Sequence, residues 1–181
     1  MYASVPGSYV IFSDDGGKSW SRSTSIGAGG SGECQVAAMA IDSDSPQLLM
    51  ASRSLLGRYV SYSRDGGETW FNTSLANSLA PQTPCESSLV SMTYTGVFLD
   101  THLYLTAPHS LVRQNMTLFT SSDGGYSWDK GEVVIWAGPA GYSSLAYYKL
   151  RLYCLYERGD VGKEYWDTLT LATLSPLVCC V

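Results

Sequence analysis

SDDGGKSW (13–20), SRDGGETW (63–70) and SSDGGYSW (121–128) are one pattern written three times, S-x-D-G-G-x-[ST]-W. Each copy reads as a β-hairpin turn. The Asp accepts hydrogen bonds from turn amides, the Gly pair permits positive φ, the Ser/Thr hydroxyls satisfy further backbone groups, and the Trp is placed to bury its ring at the hairpin base. The aspartates Asp15, Asp65 and Asp123 stand 50 and 58 residues apart, a spacing that suits one four-stranded propeller blade per copy. Strand-like text precedes each box: SYVIF, RYVSYS and MTLFTS.

Working outward, QLLMAS, SLVSMTYTGVFL, HLYLTAP, EVVIWAG, SSLAYY, LRLYCLYER and TLTLATL carry short apolar or alternating runs. No long 3.6-residue periodicity appears, and only SLANSLAPQ (74–82) suits a brief helical turn. The reading is all-β, with about three to four blades of a six-bladed β-propeller. An unclosed ring leaves strand edges exposed, so the chain is expected to be part of a larger ring.

Composition bounds the function. In 181 residues there is room for one ordinary domain with a sizeable core. The net charge of -5, with no basic cluster or stripe, argues against nucleic acid as a partner. Five cysteines (Cys34, Cys85, Cys154, Cys179 and Cys180) form no CxxC pair, so structural zinc is not expected, nor is any cofactor. Asn72-Thr-Ser and Asn115-Met-Thr are glycosylation sequons that would suit a secretory route. The start, MYASVPGSYVIFSDDGG, has neither a basic n-region nor an apolar h-region, and no run is long enough to span a membrane.

Charged or reactive groups fall in otherwise apolar strand text at Glu33 (GECQVAAM), Arg53 and Arg58 (LLMASRSLLGR), Arg113 (APHSLVRQNMTL), and Tyr142 and Glu157 (GYSSLAYYKLRLYCLYER). Taken singly, each reads as an ordinary surface, ion-pair or packing residue. Their order carries more, because in a propeller the strand ends nearest the axis converge on one face. Gly141 and its small neighbours predict a sharp turn that presents Tyr142, with the next strand returning Glu157 to the same place.

These segments resemble the C-terminal half of exo-α-sialidases (neuraminidases) of glycoside hydrolase family 33, over about residues 9–174. GECQVAAM is similar to the family's glutamate segment, MASRSLLGRYVSYSRDGGETW to its second-arginine segment, PCESSLV to its Cys-x-x-Ser strand, and VRQNMTLFTSSDGGYSW to its third-arginine segment. IWAGPAGYSSLA is especially close in wording to animal lysosomal-type enzymes, and the three boxes resemble the Asp-box. The successive spacings along Glu33, Arg53, Arg113, Tyr142 and Glu157 are 20, 60, 29 and 15 residues, which suit the family order. Arg58 competes for the second-arginine position, but it stands just before the strand entering a box, and Arg53 is preferred.

The resemblance implies a division of labour. Sialic acid carries a carboxylate on its anomeric carbon, and Arg53 and Arg113 would be two of three arginines clamping it, since a guanidinium makes two parallel charge-assisted bonds. That charge would repel a carboxylate nucleophile, so Tyr142 would attack instead, with Glu33 as its base; a tyrosine nucleophile is the recognised sialidase exception among glycosidases. Glu157 would orient a clamp arginine without touching substrate. The expected domain is a partial propeller over 1–174, with 175–181 as a tail of unassigned role. The family's first arginine, in an F-R-I-P-like strand, and its acid/base aspartate are expected upstream of Met1.

The expected partners are a sialylated glycan substrate and the remaining half of the ring or a second copy. Location is expected in the lysosome or elsewhere in the secretory and membrane system, with the cytoplasm left open. Two other readings stand beside the hydrolase: an inactive sialidase-like propeller that binds sialylated glycans or proteins, and an unrelated Asp-box interaction module.

Overall fold

The computed structural model describes residues 7–26, 32–39, 47–95, 99–149 and 151–175. The tail with Cys179 and Cys180 lies outside them, apart from Ser175. Among the described residues twelve antiparallel strands follow one another: β1 (Ile11–Phe12), β2 (Ser21–Arg22), β3 (Cys34–Met39), β4 (Gln47–Ser54), β5 (Gly57–Ser63), β6 (Phe71–Leu75), β7 (Ser88–Thr95), β8 (Leu99–Pro108), β9 (Gln114–Ser121), β10 (Asp129–Tyr148), β11 (Arg151–Arg158) and β12 (Thr168–Leu174). The expected helical turn is a single 3-10 turn at Asn77–Leu79.

The strands form a two-stranded sheet β1-β2, a four-stranded sheet β3-β4-β5-β6 and a six-stranded sheet β7 to β12 in sequence order. The last is two blades joined through β10. Its first half pairs with β9 from Asp129 to Pro139, and its second half pairs with β11 from Ala140 to Tyr148. The sequence reading placed two strands here, EVVIWAG and SSLAYY. The structure runs them together, with Pro139 at the changeover between partners, where a proline without an N–H is tolerated. The result is the expected all-β partial propeller.

The blades pack face to face. One core joins Met39, Leu49, Ala51, Val60 and Tyr62 of the β3–β6 sheet to Leu89, Leu103, Leu105, Phe119 and Trp128. A second joins Met92, Tyr104, Met116 and Leu118 to Ala140, Leu145, Leu152, Cys154 and Tyr156. Strand β8 therefore buries Leu103 and Leu105 on one face and Tyr104 on the other, which accounts for the apolar run at its centre.

The three boxes close alike. In the first, Ser13 Oγ donates to Asp15 Oδ1 (2.9 Å), and the Ser19 amide and hydroxyl donate to the same carboxylate (2.9 and 2.7 Å). Thr69 does the same for Asp65, and Ser127 for Asp123. In each, the second glycine amide donates to the leading serine (2.8–2.9 Å). The tryptophans do not all behave as expected. Trp128 is 3% exposed, Trp70 half-buried, and Trp20 61% exposed, its sheet having two strands among the described residues.

The Ser19 bonds hold the Asp15 carboxyl at about 2, and the Thr69 bonds hold Asp65 at about 2, against an ordinary 3.8. A depressed folded-state pKa gives stability that is complete above the unfolded value and is lost as the pH falls through the folded one. Thermal midpoints should therefore hold down to about pH 4 and fall between there and about pH 2. Asp65→Asn should lower the neutral-pH midpoint and shrink that acid loss; an unchanged acid limb would remove Asp65 from this account. Of the sequon asparagines, Asn72 is exposed, whereas Asn115 Nδ2 is committed to the His109 carbonyl (3.1 Å).

Candidate functional site

In an antiparallel sheet the start of one strand and the end of the next share an edge. Glu33 immediately precedes β3 and Arg53 is the penultimate residue of β4, and the ladder runs on between them, with Arg53 N–H donating to the Glu33 carbonyl at 2.8 Å. Arg113 immediately precedes β9, and its carbonyl accepts from the Ala140 amide at 3.0 Å. Glu157 is the penultimate residue of β11.

Tyr142 arrives differently from expectation. It does not lie in a tight turn; it stands within β10, where Ala140 pairs with Arg158 and Ser143 with Tyr156. Gly141 and Tyr142 thus oppose the single residue Glu157, and a β-bulge re-aims the phenol out of the sheet. Gly141 contributes space here and not a special φ: a Cβ at that position would overlap Glu157 Oε2 and the Tyr165 ring.

The side chains meet as a triangle. Tyr142 OH donates to Glu33 Oε1 at 2.6 Å, Arg53 Nη1 donates to Glu33 Oε2 at 2.6 Å, and the same Nη1 lies 3.2 Å from the Tyr142 oxygen. The Arg113 guanidinium stacks over the Tyr142 ring at 5.3 Å and over Tyr165 at 4.6 Å. Partial burial pushes Glu33 upward, but the bonds from Tyr142 and Arg53 and the two guanidinium charges outweigh it and hold Glu33 below the usual carboxylate range. The Glu33 bond and burial hold the Tyr142 phenol above its ordinary value. The resting proton therefore belongs to the tyrosine, hydrogen-bonded to an ionised acceptor. A group binding its oxygen would release that proton toward Glu33.

Glu157 Oε2 accepts the Tyr142 amide at 2.9 Å, and among the described residues no ion pair joins it to Arg53 or Arg113. Its carboxylate is held instead by the backbone of the tyrosine. Arg58, the competing arginine, pairs across the hairpin with Arg53 but faces inward, 2% exposed, with Nη2 on the Cys85 carbonyl at 2.8 Å. Burial pulls its pKa down to about 10.

Tyr165 escaped the sequence reading; the only signal for it is an aromatic pair in the polar loop KEYWD, where it packs edge-to-face on Trp166. The site is an open rim, with the Glu33 side chain 41% exposed. A cavity of about 550 Å3 lies elsewhere, beside Tyr62, Asn72 and Tyr126. Gly141→Ala should push Glu157 off the Tyr142 amide and misplace the phenol. A misplacement of that order costs roughly 10²-fold in rate where it disturbs a reacting group. The check is loss of the Tyr142 amide's slow hydrogen exchange in a folded variant; retention would mean that Glu157 adapts without harm.

This arrangement belongs to a propeller blade edge on which a carboxylate, a phenol and two guanidinium groups converge. Residues 2–152 match the BNR repeat-like domain, and the chain belongs to that family. Among solved structures, its fold is similar to that of sialidases. The Hadza microbial sialidase Hz136 gives a TM-score of 0.69 at 23% identity, covering 92% of this chain and 31% of that one. The NanB sialidase of Streptococcus pneumoniae gives 0.72 at 19% identity, covering 97% and 28%. The Trypanosoma rangeli sialidase, in its covalent intermediate with 2,3-difluorosialic acid, gives 0.62 at 24% identity, covering 92% and 26%. The chain thus spans about a third or less of the length of these structures.

Proposed function

We propose that this chain carries the nucleophilic half of an exo-α-sialidase site, acting on terminal sialic acid of glycoproteins, glycolipids or oligosaccharides. The observation that supports it most is the Tyr142–Glu33–Arg53 triangle, a phenol bonded at 2.6 Å to a carboxylate that a guanidinium also holds. Arg53 and Arg113 bind the substrate carboxylate. Tyr142 attacks the anomeric carbon as its proton passes to Glu33, the glycosidic bond breaks, and a sialyl-tyrosine forms. Water, deprotonated by the acid/base aspartate expected upstream, then attacks the anomeric carbon, the bond to the Tyr142 oxygen breaks, and the phenolate takes its proton back from Glu33, freeing sialic acid with net retention. The positive charge of Arg53 beside the phenol oxygen stabilises the phenolate character that develops on the way.

Departure of the natural leaving group needs an acid, whereas fluoride leaves without one, so a fluorosialic acid tests Tyr142 independently of the acid/base aspartate. The purified 181-residue chain, treated with 2,3-difluorosialic acid and digested, should carry a sialyl adduct on the peptide containing Tyr142. Saturable binding of sialic acid without an adduct would favour the glycan-binding reading. Neither binding nor adduct would overturn both.

A further inference from the structure

Glu86, two residues ahead of β7, is none of the groups considered so far. Its Oε2 accepts the Ser143 amide at 3.1 Å, one residue past Tyr142, and its Oε1 accepts Gln35 Nε2 at 3.3 Å, two residues past Glu33. The Gln35 amide cannot be turned over. Its Oε1 accepts from the Leu89 amide (2.9 Å) and from Ser88 Oγ (3.0 Å), and a backbone N–H can only donate. Gln35 Nε2 must therefore face Glu86. Two N–H donors converge on this side chain, and an amide in its place would oppose one of them with a donor of its own.

The network continues across the blades, because Ser88 Oγ in turn accepts the Leu145 amide at 2.8 Å. The consecutive amides of Tyr142 and Ser143 are thus taken by two carboxylates, Glu157 in β11 and Glu86 just ahead of β7. Burial pushes the Glu86 carboxyl up, while the Ser143 amide and the nearby Arg58 charge draw it back.

We propose that Glu86 is a positioning residue: by accepting from both Gln35 and Ser143, its carboxylate sets the spacing between the strand that carries Glu33 and the strand that carries Tyr142. The inference rests on the reading of that pair as base and nucleophile. An ordinary buried carboxylate satisfying one bulge amide would be replaceable by glutamine. This one is replaceable only if its partner changes with it.

The test is a double-substitution cycle on the full 181-residue chain, labelled with 15N and with 13C at tyrosine Cζ, using E86Q, Q35E and Q35E/E86Q. E86Q should speed hydrogen exchange at the Ser143 amide by roughly ten- to a hundredfold, as losing a bond to a charged group does, and shift the Tyr142 Cζ resonance. Q35E, which opposes two carboxylates, should also shift it. The double variant should restore both signals, because the new amide at position 86 then donates to the new carboxylate at position 35 and still accepts from Ser143.

Wild-type signals in E86Q would overturn the proposal, as would a double variant as perturbed as the single ones. If E86Q does not fold, a folded double variant with wild-type signals sustains the proposal and an unfolded one overturns it. These signals do not depend on turnover. A restored cycle in a chain that forms no sialyl adduct would count against the sialidase reading alone.

Discussion

Tyr142→Phe should lower release of a fluorophore from an aryl sialoside by roughly 10³-fold or more, the scale on which losing a nucleophile acts, while leaving the fold intact. The phenylalanine ring keeps the stacking surface under Arg113, and only the oxygen shared by Glu33 and Arg53 disappears. Arg53 and Glu33 remain bonded to each other, so no charge is stranded. The comparison belongs in whatever assembly turns over substrate, whether this chain alone, paired with a second copy, or completed by the rest of a ring, at mildly acidic and neutral pH. A variant within tenfold of the parent would take Tyr142 out of the nucleophile's role.

The second large effect is on stability. Phe119 is fully buried in the core between the β3–β6 and β7–β10 blades, opposite Leu105 in the ladder and edge-on to His109 at 5.2 Å. Phe119→Ala should cost about 3–5 kcal/mol, since packed sheets on both sides cannot collapse into the space. For a domain of this size the thermal midpoint should fall by roughly 10 °C. Phe119→Leu should recover most of the loss. A midpoint unchanged in the alanine variant would mean that the two blades are not packed on each other in solution.

What the sequence made legible was what is local. Each box is complete within eight residues, so Ser, Asp, Gly-Gly and Ser/Thr could be read directly as a hydrogen-bonded turn. The burial of each tryptophan was not legible, because it depends on the strands that surround its hairpin. Glu33, Arg53, Arg113, Tyr142 and Glu157 were singled out through their order and the family resemblance, and the blade edge brings the first three together around the Tyr142 phenol. How Tyr142 is presented was misread: small residues before it suggested a turn, and only the pairing of β10 with β11 reveals a bulge.

Glu86 and Gln35 carried no local signal at all. Their bond spans 51 residues and the one from Ser143 to Glu86 spans 57, so neither pairing can be seen in a window of neighbouring residues. The direction in which Gln35 is turned follows from β7, and that constraint exists only once the blades are stacked.

Strand β10 has a consequence of its own. Side chains alternate between faces along a strand, so a slip of one residue turns every inward group outward. In β10 such a slip would misplace Trp136 against the Gly159 carbonyl in one half and Leu145 within its core in the other. One continuous strand therefore has to satisfy the side-chain alternation of two blades at once. The strand serves as a common register mark for its two blades, and that count is offset by irregularities at three places along β9 and by the bulge beside Tyr142 along β11.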